Sequence, residues 1–289
     1  MSGTNFQGTS EALVSTQWLA EHLGAPDVRV VDASWYHPST GRIGRDDYNN
    51  EHIPGAVFFD IDEIADSNSS LPHMLPDPAK FASKVRRLGL GNGNRIIVYD
   101  RASGGAAAAR VWWQFRYFGH HDISVLDGGM IKWLTEGRAT EDLPPVPRER
   151  HFIARVNQLL VRSKAQILHN LETPREVVID ARSAGRFAGT EPEPWPHIKT
   201  GHIPGAKNLP WNELLDPNSK VFLAPDQLAD RFAQAGINPA APLVASCGSG
   251  VTACVLALAL AVLGNHEVAV YDGSWAEWGL DRDTPAALG

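Results

Sequence analysis

One short segment of this sequence has the residue types of a nucleophilic site: Cys247-Gly248-Ser249-Gly250-Val251-Thr252. The thiolate form of a cysteine is the reactive form, and its population depends on its surroundings. Gly248 and Gly250 allow a tight turn in which successive amide N–H groups point inward. The apolar run that follows predicts a helix from about Thr252 to Leu263, with the positive end of its dipole facing the loop. Both features favour a thiolate at Cys247. The same cradle, formed by Gly248, Ser249, Gly250, Val251 and Thr252, would hold an anionic substrate or leaving group. Cys254 lies among Val251, Ala253, Val255 and Leu256 and reads as core.

Two other uses of such a loop are open. A cysteine phosphatase needs an arginine six positions after the cysteine, where this chain has Ala253. A module that only carries a group on the thiol would use the same loop without turnover, and the residues alone do not separate it from an enzyme.

The elements that must position Cys247 follow from apolar runs. Leu243-Val244-Ala245 reads as a buried strand that delivers the cysteine to a sheet end. Arg95 to Tyr99 reads as a strand followed by a helix from Ala106 to Phe118, and further strands are expected at 123–126 and 268–271. Strand–helix–strand order with continuous apolar strands predicts an α/β fold, each sheet parallel and flanked by helices. Ligands in such folds bind at the carboxyl ends of the strands, where Cys247 sits.

The chain also repeats itself. Val30-Val31-Asp32-Ala33 resembles Val178-Ile179-Asp180-Ala181, and His52-Ile53-Pro54-Gly55-Ala56 recurs as His202-Ile203-Pro204-Gly205-Ala206. Asp127-Gly128 and Trp133 recur as Asp272-Gly273 and Trp278, so the matches keep one order at offsets of 145 to 150 residues. Two homologous domains account for this. The proline-rich stretch 142–148 reads as an extended connector, which divides the chain into 1–148 and 149–289. At the place of Cys247 the first half has Asp100, followed by Arg101-Ala102-Ser103-Gly104-Gly105. Only the second half therefore carries the reactive thiol; the first is expected to pack against it and close the site. His52 and His202 read as turn residues, the four repeated aspartates as loop or cap ligands, and Trp133 and Trp278 as core.

Composition bounds the rest. With 43% hydrophobic and 20% charged residues the chain is globular, and its net charge of −7 argues against a nucleic-acid partner. Two cysteines are too few for a disulfide scaffold or a thiolate zinc site. The start shows no signal-peptide pattern, and the apolar run Val251 to Leu263 is too short to span a bilayer. A cytoplasmic location with no membrane partner is the expectation, and there a thiol stays reduced.

With these motifs in place, the chain resembles the tandem rhodanese-domain sulfurtransferases over about Leu13 to Trp278. The stretches Asp32 to Tyr36, Phe58 to Asp62, His73-Met74-Leu75-Pro76 and Val111-Trp112-Trp113 are similar to the 3-mercaptopyruvate branch. The resemblance implies two rhodanese-like domains, a Cys247 persulfide intermediate, a small-molecule sulfur donor, and an acceptor thiol such as thioredoxin. It implies neither metal nor organic cofactor. Thiosulfate enzymes of the family place cations directly after the cysteine; here Gly248 and Ser249 are neutral, as in the mercaptopyruvate branch. The resemblance also gives Arg186 the grip on the donor's carboxylate and keto group, and it groups Ser249 with His73 and Asp62 as a proton relay. The sequence departs from the branch at Trp195, where a second arginine is usual. His197 and Lys199 are candidates for the missing cation.

Overall fold

The structure is a computed structural model that describes residues 11–101 and 105–289. The chain start, 1–10, and Ala102, Ser103 and Gly104 of the first-half loop lie outside the described residues.

Runs of β-branched residues form two five-stranded parallel sheets. The first contains β1 (Leu13–Val14), β2 (Val28–Asp32), β3 (Val57–Phe58), β4 (Arg95–Tyr99) and β5 (Ile123–Leu126), in the order β1-β5-β4-β2-β3. The second contains β6 (Val161–Arg162), β7 (Val177–Asp180), β8 (Lys207–Asn208), β9 (Leu243–Ser246) and β10 (Ala269–Tyr271), in the corresponding order β6-β10-β9-β7-β8. Register fixes the equivalence of the halves. Asp32 pairs with Tyr99 across β2 and β4, and Asp180 pairs with Ser246 across β7 and β9. The next residues, Asp100 and Cys247, therefore leave their sheets at the same place.

The repeated residues play repeated structural roles. Asp32 accepts the Ser34 N–H at 2.7 Å and Asp180 the Arg182 N–H at 2.9 Å, each closing a turn after its strand. His52 stacks on Tyr48 and contacts its carbonyl through Nδ1 at 2.7 Å; His202 does the same with Phe187, at 2.9 Å. The indole N–H groups of buried Trp133 and Trp278 donate to the carbonyls of Ala139 and Pro285.

Helix Ala106–Tyr117 follows β4, and helix Ala253–Val262 follows β9. The two pack on each other between the sheets and are buried along nearly their whole length. Helix Ala253–Val262 is apolar all round and has no solvent face to offer, the other helix buries Arg110, Gln114 and Arg116 as well as its apolar residues, and the alanines at 107–109, 253, 257, 259 and 261 let the backbones approach closely. One continuous apolar core runs through both halves. Polar bonds cross the interface in matched pairs: Asp127 accepts the N–H of Phe222 at 2.8 Å, and Asp272 accepts that of Leu75 at 2.8 Å. The motif aspartates thus bind loops of the opposite half.

The connector has no helix over 142–148. It then runs along the first half, where Phe152 is buried against Phe81 and Phe115, and Arg155 and Asn157 bond the carbonyls of Phe118 and Tyr117. Among the described residues, no helix is long and apolar enough to cross a membrane.

Candidate active site

Cys247 sits where β9 ends, 1% exposed, on the wall of a cavity of about 340 Å³. Its own N–H donates to the Ser274 hydroxyl at 3.1 Å, and its carbonyl accepts the Trp275 N–H at 2.9 Å. These bonds hold the Cys247 backbone against the short helix Ser274–Trp278.

The loop after it turns through Gly250, at φ +77, and enters helix Ala253–Val262 at Thr252. A Cβ on Gly250 would lie 2.7 Å from the Asp272 carbonyl oxygen, so both the dihedral and the space require glycine. Among the described residues, the N–H groups of Gly248, Ser249, Gly250, Val251 and Thr252 donate to no protein acceptor. Buried amides are almost always paired. Five in a row at a helix start, beside a thiol, form a cradle for negative charge. The Ser249 hydroxyl is also without a protein partner among the described residues.

Both halves build the cavity. The second half supplies Cys247, Gly248, Ser249, Val251 and Thr252, with Arg186, Trp195 and Trp211 opposite. The first half supplies Trp35, Tyr36, His37 and Thr40, and the helix start at Ala106 and Ala107. Nothing in the sequence marks Trp211 or His37, and Trp35-Tyr36 stands there only as part of a motif. A turn of aromatic residues after β2 was the available signal, but nothing in the chain shows which site such a turn will face.

Arg186 reaches the cavity from the helix Ala184–Ala188, 23% exposed at its side chain. Its guanidinium donates to the buried Glu193 carboxylate, at 2.6 Å from Nη2. Glu193 also accepts from Arg182 at 2.7 Å, and Arg182 pairs with Asp180 at 2.6 Å. Two cations and two carboxylates cancel, so Arg186 offers a directional fork with little net charge behind it. The Trp195 ring lies against Gly248: a Cβ there would come within 3.2 Å of the ring and 3.0 Å of Arg186 Nη2. The expectation that a neighbour replaces the missing cation is not met. Lys199 Nζ is spent on the Thr284 carbonyl at 2.5 Å, His197 is exposed, and neither lines the cavity.

His73 and Asp62 are brought together, with Nδ1 2.9 Å from Oδ1. Partial desolvation opposes the Asp62 charge, but the imidazole and the Trp35 indole N–H, which donates at 2.8 Å, hold its carboxyl below the usual carboxylate range. The His73 ring stands edge-on to Trp35 at 4.9 Å, so the pair backs a cavity wall rather than lining it. No hydrogen bond joins His73 to Ser249 in this structure. Cys254 is fully buried, as expected of core. Its thiol donates to the Gly250 carbonyl at 3.2 Å, and burial pushes its pKa up to about 12.

The rhodanese-like domain model matches residues 15–136 and again 163–281. The human 3-mercaptopyruvate sulfurtransferase is 43% identical over 92% of this chain and 91% of its own length. A thiosulfate sulfurtransferase of Cricetulus griseus is 44% identical over 92% of this chain and 91% of its own. The crystal structure of SseA from Escherichia coli, a 3-mercaptopyruvate sulfotransferase of rhodanese fold, superposes with a TM-score of 0.83 at 39% identity, over 92% of this chain and 99% of that one.

Proposed function

The chain belongs to the rhodanese-like domain family, and from that premise we propose that it is a sulfurtransferase taking sulfur from 3-mercaptopyruvate. Overall identity does not choose the donor, because relatives named for each donor match equally well. The observation that carries the choice is the charge around Cys247. Gly248 and Ser249 are neutral, Trp195 is neutral, and Arg186 already faces Glu193. A dianion such as thiosulfate finds little Coulomb attraction there, whereas a monocarboxylate with a keto oxygen suits one planar guanidinium and a row of amides.

In the proposed reaction the Cys247 thiolate attacks the donor sulfur. The carbon–sulfur bond breaks, its electron pair stays on carbon, and pyruvate leaves as its enolate. Arg186 and the amides of Gly248 to Thr252 stabilise the oxygen on which charge develops. Ser249, whose side chain lines the cavity, passes the proton that converts the enolate to pyruvate. The sulfur remains on Cys247 as a persulfide. An acceptor thiolate, for which a thioredoxin-type dithiol or a small thiol is suited, attacks the outer sulfur and regenerates the Cys247 thiolate; cyanide does so with formation of thiocyanate. We place this chemistry in the cytoplasm, where free Cys247 and Cys254 stay reduced.

The test compares pyruvate formation from 3-mercaptopyruvate with sulfite formation from thiosulfate, each with excess acceptor thiol. A higher kcat/KM for 3-mercaptopyruvate is expected. A clear preference for thiosulfate overturns the donor assignment. A single stoichiometric release of pyruvate without a steady state makes the chain a carrier instead.

A further inference from the structure

We propose that Arg110, a residue of the first half, is a positioning residue for sulfur transfer in the second half, setting the cysteine loop through the Gly250 carbonyl. The proposal rests on the sulfurtransferase reading above.

Arg110 lies in helix Ala106–Tyr117 and is 0% exposed. Its guanidinium meets three chain segments at once. Nη1 donates to the Gly250 carbonyl at 3.3 Å, Nη2 donates to the His73 carbonyl at 2.5 Å, and Nη2 lies 2.7 Å from Asp272 Oδ1. Asp272 makes the charge tolerable. Burial alone works against it, but the carboxylate holds Arg110 above the ordinary arginine range.

The contact with Gly250 reaches the chemistry by geometry. In a trans peptide the carbonyl and the following N–H point in opposite directions. Fixing the Gly250 carbonyl on Arg110 and the Cys254 thiol therefore directs the Val251 N–H the other way. That N–H is one of the unpaired cradle amides, and Val251 lines the cavity.

The same pair fixes the other wall. His73 has φ +60, a strained value for a residue with a side chain. Arg110 holds its carbonyl, and Asp272 holds the Leu75 N–H two residues on. One ion pair thus fixes both the cradle and the loop bearing His73. The matching helix position in the second half is Ala257, whose methyl side chain can make no such contact. Lysine is a poor substitute, because one ammonium cannot serve two carbonyls in the fixed fork of a guanidinium.

The experiment uses the full chain with Arg110→Lys and Arg110→Met. Three quantities are read: steady-state pyruvate formation from 3-mercaptopyruvate, the pH profile of Cys247 alkylation by iodoacetamide followed on its own peptide, and the melting temperature. For Arg110→Lys the expected kcat loss is roughly 10- to 100-fold, with donor KM changed by less than about threefold, as for an interaction felt mainly in the transition state. The alkylation profile should move to higher pH, because the cradle that favours the thiolate is loosened. Arg110→Met should lose more; if it does not fold, Arg110→Lys decides. A folded Arg110→Lys with wild-type kcat and an unmoved alkylation profile overturns the proposal. So does a loss that disappears once rates are corrected for the folded fraction. Should the unaltered chain use neither donor, the sulfurtransferase reading fails, while the alkylation profile still judges the hold of Arg110 on the Cys247 loop.

Discussion

The turn after β4 and the turn after β9 leave equivalent strands at equivalent positions, and they treat the amides at the helix start in opposite ways. In the first half, Asp100 turns its carboxylate onto those amides and accepts the N–H groups of Gly105, Ala107 and Ala108 at 3.2, 2.9 and 3.0 Å. In the second half the residue at that place is Cys247, and no side chain among the described residues occupies the amides of Gly248 to Thr252. The helix start of the first half is filled from within and is structural; in the second half the open amides of Gly248 to Thr252 are left for a thiolate, a persulfide or a substrate oxygen. A rhodanese-like domain is therefore not reactive by its backbone alone, and a single side chain decides which use the cradle has.

The sharpest way to break this comparison is at Cys247. Cys247→Ser should lower pyruvate formation by at least about 1000-fold, and mass spectrometry after donor treatment should find no added sulfur on that peptide. Cys247→Asp should be as inactive, but its carboxylate can take the open amide of Thr252, the counterpart of Gly105. Its melting temperature should then exceed that of Cys247→Ser; a lower one would mean that the two cradles differ in shape.

Asp100→Ala attacks the comparison from the other side. It strands three inward amides without an acceptor, and the expected cost is about 2–4 kcal/mol in chemical denaturation, with kcat/KM within about tenfold of wild type. A loss of activity without a loss of stability would show that the first cradle does more than hold its own half together.

A smaller effect follows from titration. Burial is the main cause that pushes the Asp100 carboxyl up to about 7, with the nearby Asp32 carboxylate adding to it and the three amides opposing it. Below its ordinary value near 3.8 the carboxyl is protonated in both folded and unfolded chains. Between that value and about 7 the folded chain binds the extra proton, so this group's contribution to stability falls as pH rises through the window. Asp100→Asn does not titrate. The melting temperature of the wild type minus that of Asp100→Asn should fall between pH about 5 and about 8. A constant difference would mean that the amides keep Asp100 ionised throughout.

The smallest expected change is at the mouth of the active cradle. Trp195→Arg places a second cation beside Arg186, facing Gly248. The donor KM should fall several-fold, about 1 kcal/mol of added ion pairing in a half-open site. An unchanged KM would show that Arg186 and the amides already saturate the carboxylate's needs.

Much of this was legible in the residues themselves. Contiguous β-branched runs gave the strands near their observed ends, because a strand buried on both faces needs apolar side chains at every position. The equivalence of Asp100 and Cys247 could be read from the repeat, and register in the two sheets agrees with it. The aromatic wall of the cavity and the occupation of Lys199 could not be read. Both depend on contacts between residues distant in the chain, and spacing carries no information about them.

What the sequence alone determined is local: a thiol after a strand, glycines that let the loop turn, a helix start whose amides lack partners, and a second copy of the frame without the thiol. These follow from φ/ψ freedom, periodicity and hydrogen-bond inventory within about ten residues. Only the tertiary structure decided what faces that loop. It set Trp195 on Gly248, tied Arg186 to Glu193, placed His73 behind Trp35, and brought Arg110 from the other half onto the Gly250 carbonyl. The contacts from the first half arise because helix Ala106–Tyr117 is buried against the wholly apolar helix Ala253–Val262, which carries Arg110 and the loop of His73 to the edge of the second half's site.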